Sequence, residues 1–134
     1  MLINSSKKIN GIKFFGSPFI LERRKGFSFQ RSEEDLEKIW KEVPDDVDVL
    51  VTHGPVFGIG DLSDCTYTGS ISLGYHVYRR IFPKFHVFGH IHEGYGVREV
   101  NNIRAINCSI CKGYNESGRE QGLLNDPIFI EIDI

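Results

Sequence analysis

The chain has 134 residues, of which 40% are hydrophobic and 25% charged, the composition of an ordinary globular protein. This length suits a single domain over residues 1–134 with one core. A net charge of −2 and a pI near 6.2 argue against a nucleic-acid partner, which would require a basic surface. No apolar run approaches the roughly 20 residues of a membrane span, and the N-terminus lacks the apolar centre of a signal peptide. We therefore expect a cytoplasmic protein without a membrane partner.

The first predicted elements are a strand and a helix. Residues 11–15 form a predicted strand that runs into a Gly-Ser-Pro turn, and the polar residues 22–30 are expected to form a loop. Ser32 is the predicted N-cap of a helix with acidic residues in its first turn, and Pro44 ends it. The apolar residues of this helix recur at helical spacing: Leu36, Ile39, Trp40 and Val43.

Two apolar segments are too short for helices and are predicted to be buried strands. The first covers residues 47–52 and is followed by His53-Gly54-Pro55, and the second covers residues 85–88 and is followed by a turn containing His90 and His92. Between them, residues 58–69 are rich in glycine, and apolar residues return to helical spacing over 71–82. The segment between the two strands therefore predicts a loop and a second helix.

Two further strands are predicted, at residues 103–106 and at residues 128–134, where isoleucines alternate with other residues. The order of strands and helices predicts an α/β layered domain. Cys108 and Cys111 form a lone CxxC, and a zinc ribbon would need a second such pair. We expect these cysteines to be buried small apolar side chains.

Three histidines follow the ends of predicted strands. The carboxyl ends of strands in open α/β sheets gather at one edge, where ligands bind. His53 and the His90/His92 pair both occupy such positions, and neighbouring glycines leave room for a ligand. Three imidazoles suit zinc, manganese, iron or cobalt. His53, His90 and His92 are therefore predicted metal ligands, whereas His76 and His86, which lie inside predicted elements, are expected to have core or surface roles.

The segments that carry these histidines resemble those of a known family. Residues 49–55, Val-Leu-Val-Thr-His-Gly-Pro, look like the late THGP motif of the calcineurin-like metallophosphoesterases, and residues 87–92, Val-Phe-Gly-His-Ile-His, look like their GHxH motif. The longer string over residues 86–96 is similar to a subgroup of the fetal-brain-protein type, and residues 10–18 and 106–109 fit the same subgroup. The resemblance runs from about residue 2 to the C-terminus.

The resemblance implies a fold, a cofactor and an activity. The fold is the C-terminal half of an α-β-β-α sandwich, with divalent metal (manganese, zinc or iron) at the strand ends and a phosphomonoester or phosphodiester as substrate. It places His53 and His90 as ligands of the second metal and His92 as a ligand of the first. The implied function is metal-dependent phosphoester hydrolysis.

The family's early motifs are missing from this sequence. They are an Asp-x-His, a Gly-Asp-x-x-Asp with a metal-bridging carboxylate and a Gly-Asn-His-Asp/Glu; residues 60–64 read like the second, but they follow His53 and are predicted to be a polar loop. Without bridging carboxylates the repulsion between two dications is uncompensated, so we expect at most one ion and an inactive isolated chain.

Two functional hypotheses follow from the half set of motifs. The chain could complete an enzyme together with an N-terminal half, or it could be a non-catalytic metal-binding or protein-interaction module on the same scaffold. In either case the uncovered sheet face of a half sandwich is expected to favour a partner or self-association.

Overall fold

A computed structural model describes residues 1–23, 28–111, 122 and 125–133. In this part of the chain six strands form one mixed sheet: β1 (Ser5–Ile9), β2 (Ile12–Ser17), β5 (Val49–Thr52), β8 (Phe85–Phe88), β9 (Gly96–Val100) and β10 (Ile103–Asn107). Their order in the sheet is β1-β2-β5-β8-β10-β9, in which β2, β5, β8 and β10 run parallel and the two edge strands antiparallel. Two small pairs join β3 (Ile20–Leu21) to β4 (Gln30–Arg31) and β6 (Leu62–Ser63) to β7 (Thr66–Tyr67).

The helical layer covers one face of the sheet. Helix α1 spans Glu33–Lys41, and helix α2 spans Ile71–His76 and continues into a π-helical turn, Val77–Ile81. Ser32 caps α1 as predicted, because its hydroxyl accepts from Asp35 N at 3.2 Å. The core between helices and sheet is formed by Phe15, Leu36, Trp40, Leu50, Leu73, Val77 and Ile103, among others. The predicted α/β layered fold is confirmed.

The second face of the sheet carries a smaller apolar cluster around Val49, Phe85 and Ile106. Ile128, Ile130 and Ile132 pack against it, but the described residues 128–133 pair with no strand, so the predicted terminal strand is wrong over that range; Ile134 lies outside the described residues. Alternating isoleucines indicate an extended segment with one buried side. Such a segment can pack on the sheet without forming backbone hydrogen bonds to a neighbouring strand.

Three other expectations differ from the structure. The predicted turn after Phe15 is strand, and β2 continues to Ser17 because Gly16 and Ser17 pair with Val51 and Thr52 of β5. Two outer strands, β1 and β9, were not predicted. Cys108 is exposed and not buried, because it follows the inward-facing Asn107, whereas Cys111 is partly buried.

None of the described helices combines the length and apolar character needed to cross a bilayer.

Arg80 makes several of the hydrogen bonds that connect the two helical segments. Arg80 donates from Nη2 to Trp40 O and from Nη1 to Val43 O, both at 2.8 Å, and from Nε to His76 Nδ1 at 2.8 Å. Its guanidinium also pairs with Asp45. Trp40 O also accepts from Val43 N at 3.1 Å, so the fork adds a further donor to that carbonyl and binds Val43 O just beyond the end of α1.

We predict that Arg80→Lys lowers the free energy of unfolding by about 1–3 kcal/mol, because an ammonium cannot reproduce the planar fork to several acceptors. Urea unfolding monitored by far-UV circular dichroism measures the loss. Arg79→Lys is the matched control, since Arg79 is exposed and its exchange should stay within about 0.5 kcal/mol. Equal losses in the two variants would contradict the assignment.

Candidate metal centre

The parallel pairing of β5 with β8 brings two of the predicted ligands together. Val49, Leu50 and Val51 lie opposite Phe85, His86 and Val87, so both strands end at the same edge. His53 follows β5 directly, and His90 follows β8 after Gly89. Gly89 N donates to His53 O at 3.0 Å, which fixes one histidine loop to the other.

The imidazoles of His53 and His90 face each other. His53 Nε2 lies 3.1 Å from His90 Nδ1, and the ring centroids are 4.9 Å apart. Partial desolvation lowers the pKa of both rings, and the neighbouring His53, His92 and Arg23 lower the pKa of His90 further. Both side chains are therefore neutral near pH 7, which is the form that binds a metal.

The backbone at His90 is in an unusual conformation. Its φ is 69°, in the left-handed region, and Ile91 N donates to Gly89 O at 2.8 Å across it. In such a three-residue turn the central residue is strained unless it is glycine. These turns persist where surrounding contacts hold the backbone in place, often at functional sites. The turn directs the His90 ring towards His53.

The third predicted ligand is not part of this pair. His92 begins a short 3-10 turn, His92–Gly94, and is partly buried. Among the described residues no group of three or more His, Cys, Asp or Glu side chains is arranged to hold a metal ion. The structure thus brings together His53 and His90, and a ligand role for all three histidines stays a prediction.

The donor pair fits half of a metal site. Two imidazole nitrogens bound to one tetrahedral ion at about 2.0–2.1 Å would be separated by roughly 3.3 Å. The observed separation of 3.1 Å is close to this value, and no carboxylate completes the set among the described residues. The pair is compatible with one cation that takes its other ligands from elsewhere.

A buried hydrogen-bond chain supports the loop that follows β5. Thr52 Oγ1 donates to Gly54 O at 2.7 Å and lies 2.9 Å from His86 Nε2. Since the hydroxyl has one hydrogen, it must accept from His86, which fixes the Nε2–H tautomer. His86 is fully buried and its Nδ1 has no hydrogen-bond partner among the described residues. Sequence reasoning assigned no role to Thr52, although its place before His53 was a usable signal.

The remaining predicted positions have structural roles. His76 is buried between the helices, where its Nε2 lies 3.1 Å from Glu37 Oε2, so both non-ligand histidines lie in the interior. Asp61 lies in a loop as predicted, but it is buried, and its Oδ2 accepts from Thr68 N at 3.1 Å and Gly69 N at 2.9 Å. Asp61 therefore joins the start of the glycine-rich loop to its end at Thr68 and Gly69.

Comparison with known proteins identifies relatives of this sequence. It is 37% identical over 126 residues to a UPF0046 protein of Caenorhabditis elegans, covering 92% of this chain and 30% of that protein. It is 39% identical over 113 residues to human metallophosphoesterase domain-containing protein 1, covering 82% of this chain and 34% of the relative. The chain is a relative of the metallophosphoesterase-domain proteins.

The metallophosphoesterase relationship covers only part of those proteins. A second UPF0046 protein of Caenorhabditis elegans is 34% identical over 99% of this chain and 47% of its own length, so the chain spans about a third to a half of the curated relatives it matches. No protein-family profile matches the chain. One crystal structure has a TM-score of 0.61 at 20% identity, covering 81% of this chain and 45% of that one, which shows a shared fold.

The buried histidine gives a pH dependence of stability. Burial lowers the pKa of His86 to about 3, whereas an unfolded histidine titrates near 6.5. Below pH 6.5 the unfolded chain therefore binds a proton that the folded chain excludes, and stability falls as the pH decreases from about 6.5 towards 3. The contribution of one such histidine approaches about 1.4 kcal/mol per pH unit.

We predict that His86→Gln, which can still donate to Thr52, shows a shallower loss of unfolding free energy between pH 6.5 and 5 than the wild type. Urea unfolding at a series of pH values measures both slopes, and carboxylates common to the two proteins cancel in the difference. Identical slopes would show that His86 does not supply the acid sensitivity.

Proposed function

We propose that the chain supplies the histidine half of a metal-dependent phosphoesterase site, in which His53, His90 and His92 bind a divalent cation. The observation that supports this most directly is the separation of 3.1 Å between His53 Nε2 and His90 Nδ1 at the ends of adjacent parallel strands. The relationship to metallophosphoesterase-domain proteins agrees with it.

The residues of this chain would bind and orient the metal. His53 and His90 present neutral rings because desolvation lowers their pKa, and the bond from Gly89 N to His53 O holds the two loops in register. A bound manganese, zinc or iron ion would neutralise phosphate charge and lower the pKa of water. With a net charge of −2, the chain would recognise a phosphoester through such local contacts and not through a basic surface.

Catalysis on this proposal needs carboxylates from a second segment. Among the described residues no three-ligand group is formed, so we expect the chain to bind one ion by itself. A pair of dications would repel each other without a bridging carboxylate. We propose that an N-terminal segment with the family's Asp-x-His and Gly-Asn-His motifs supplies the missing ligands.

One observation favours a second candidate, a non-catalytic module on the same scaffold. The described residues place only two of the three predicted ligands together, which suits weak metal binding without turnover. On this alternative the chain contacts a protein partner, and its histidines are dispensable for that contact.

Metal titration tests the proposed ligand set. We expect the wild-type chain to bind one equivalent of Mn²⁺ or Zn²⁺, and His53→Ala and His90→Ala each to weaken binding at least about tenfold, because each removes a coordinating nitrogen. His92→Ala tests the third ligand. Equilibrium dialysis with metal analysis gives the stoichiometry and affinity.

His76→Gln is the matched control for this titration, because it removes a histidine that lies between the helices and away from the strand ends. If it weakens binding as much as His90→Ala does, the loss reflects stability, and the metal site is not at the histidine pair.

Complementation tests the enzymatic proposal. The chain should hydrolyse bis(p-nitrophenyl) phosphate in the presence of Mn²⁺ only when mixed with the N-terminal region of a relative such as human metallophosphoesterase domain-containing protein 1, and His90→Ala should abolish the gain. Complex formation without hydrolysis by the wild-type pair would reject the enzymatic proposal and favour the non-catalytic module.

A further inference from the structure

A buried asparagine ends the third strand at this edge of the sheet. Asn107 is the last residue of β10, lies opposite Phe88 in the parallel register, and has no solvent exposure. An amide in the interior is costly unless its donors and acceptor are paired. Its hydrogen bonds therefore identify what this side chain holds in place.

All polar groups of the Asn107 amide are satisfied by backbone. Nδ2 donates to Ile91 O at 2.7 Å and to Gly60 O at 3.2 Å, while Oδ1 accepts from Ser109 N at 3.0 Å. Ser109 Oγ adds a longer bond to Ile91 O at 3.4 Å. One side chain thus joins the end of β10 to the histidine turn and to the glycine-rich loop.

The carbonyl that Asn107 binds lies between two predicted ligands. Ile91 separates His90 from His92, and fixing its carbonyl fixes the plane of the peptide that joins Ile91 to His92. The preceding residue, His90, has a φ of 69°. A strained turn of this kind needs contacts that keep it from relaxing, and the Asn107 bond, at 2.7 Å, is shorter than the bond from Ser109 Oγ to the same carbonyl.

The histidine turn and the glycine-rich loop pack closely together at Gly94. A Cβ at Gly94 would lie 2.1 Å from Gly60 O and 2.9 Å from Asn107 Nδ2. The backbone of the histidine turn therefore touches the glycine-rich loop directly, and the Asn107 amide sits at the junction.

We infer that Asn107 is a positioning residue, which through Ile91 O holds the turn between His90 and His92 in its strained conformation and so sets the separation of the histidine rings. The consequence for metal binding rests on the proposed function, whereas the effect on the turn does not.

Amide hydrogen exchange of the metal-free full chain tests the inference. In Asn107→Ser the hydroxyl is too short to reach Ile91 O, so exchange at residues 89–94 should rise about tenfold or more while the β8 amides stay protected. Ile103→Val is the matched control, because it destabilises the same strand without touching the turn. Exchange that is unchanged at the turn, or that rises equally in the control, overturns the inference.

Titration with Mn²⁺ alone separates this inference from the proposed function. If the wild type binds Mn²⁺, Asn107→Ser should weaken binding about 10–100-fold. Asn107→Asp should also weaken Mn²⁺ binding, because an ionised carboxylate cannot donate to Ile91 O. A purely electrostatic role of this position predicts the opposite, since the added negative charge would favour a cation. Equal affinity in wild type and Asn107→Ser overturns the positioning role.

The two failures have different signatures. If the wild type binds no Mn²⁺ but the turn loosens in Asn107→Ser, the proposed metal site fails and Asn107 still positions the turn. If Asn107→Ser does not fold, Ser109→Ala removes only the longer bond to Ile91 O, and a smaller rise confined to residues 89–94 supports the same role, whereas no rise there counts against it.

Discussion

The parallel pairing of β5 with β8 is the constraint on which the candidate site depends. Each strand is four residues long and largely buried, so a shift of register by one residue would exchange core and outer faces. Since the register is fixed by burial, the residues that follow each strand have fixed positions as well. His53 and His90 meet because of this pairing, at 3.1 Å between ring nitrogens.

Buried polar side chains then hold the loops that the strands bring together. Thr52, linked to His86, binds the carbonyl of Gly54 in the first histidine loop, and Asn107 binds the carbonyl of Ile91 in the second. Each is an interior group whose desolvation is offset by backbone hydrogen bonds. His86 Nδ1 is the exception in this network, because it has no partner among the described residues, and the cost of charging it appears as a strongly lowered pKa.

The chemistry of the site follows from its donor set. Neutral imidazoles can hold a cation but do not balance its charge, and in the described part of the chain no group of three acidic, cysteine or histidine ligands forms. On the proposed function, the charge balance of a bound cation would therefore come from other groups. The chain spans 30–47% of the length of the three curated relatives described above.

Local sequence signals predicted much of the fold. The first helix was predicted from the helical spacing of Leu36 and Trp40 and from the cap at Ser32. The inner strands were predicted from the short apolar runs before His53 and His90. Both kinds of signal are local, because burial and capping act over a few residues. The edge strands were missed, although Asn10-Gly11 and Asn101-Asn102 adopt the positive φ values typical of tight hairpin turns. Edge strands are half exposed, so their apolar pattern is weak.

The sequence by itself determined the α/β class, the placement of three histidines after strand ends and the resemblance to metallophosphoesterases. Only the tertiary structure decided which groups meet. His53 and His90 lie together, His92 begins a 3-10 turn outside that pair, and Asn107 binds the carbonyl of Ile91. The physical reason is that strand register, loop strain and backbone carbonyl positions depend on residues far apart in the chain, such as Asn107 and Gly60, which carry no mark of their contact in the local sequence.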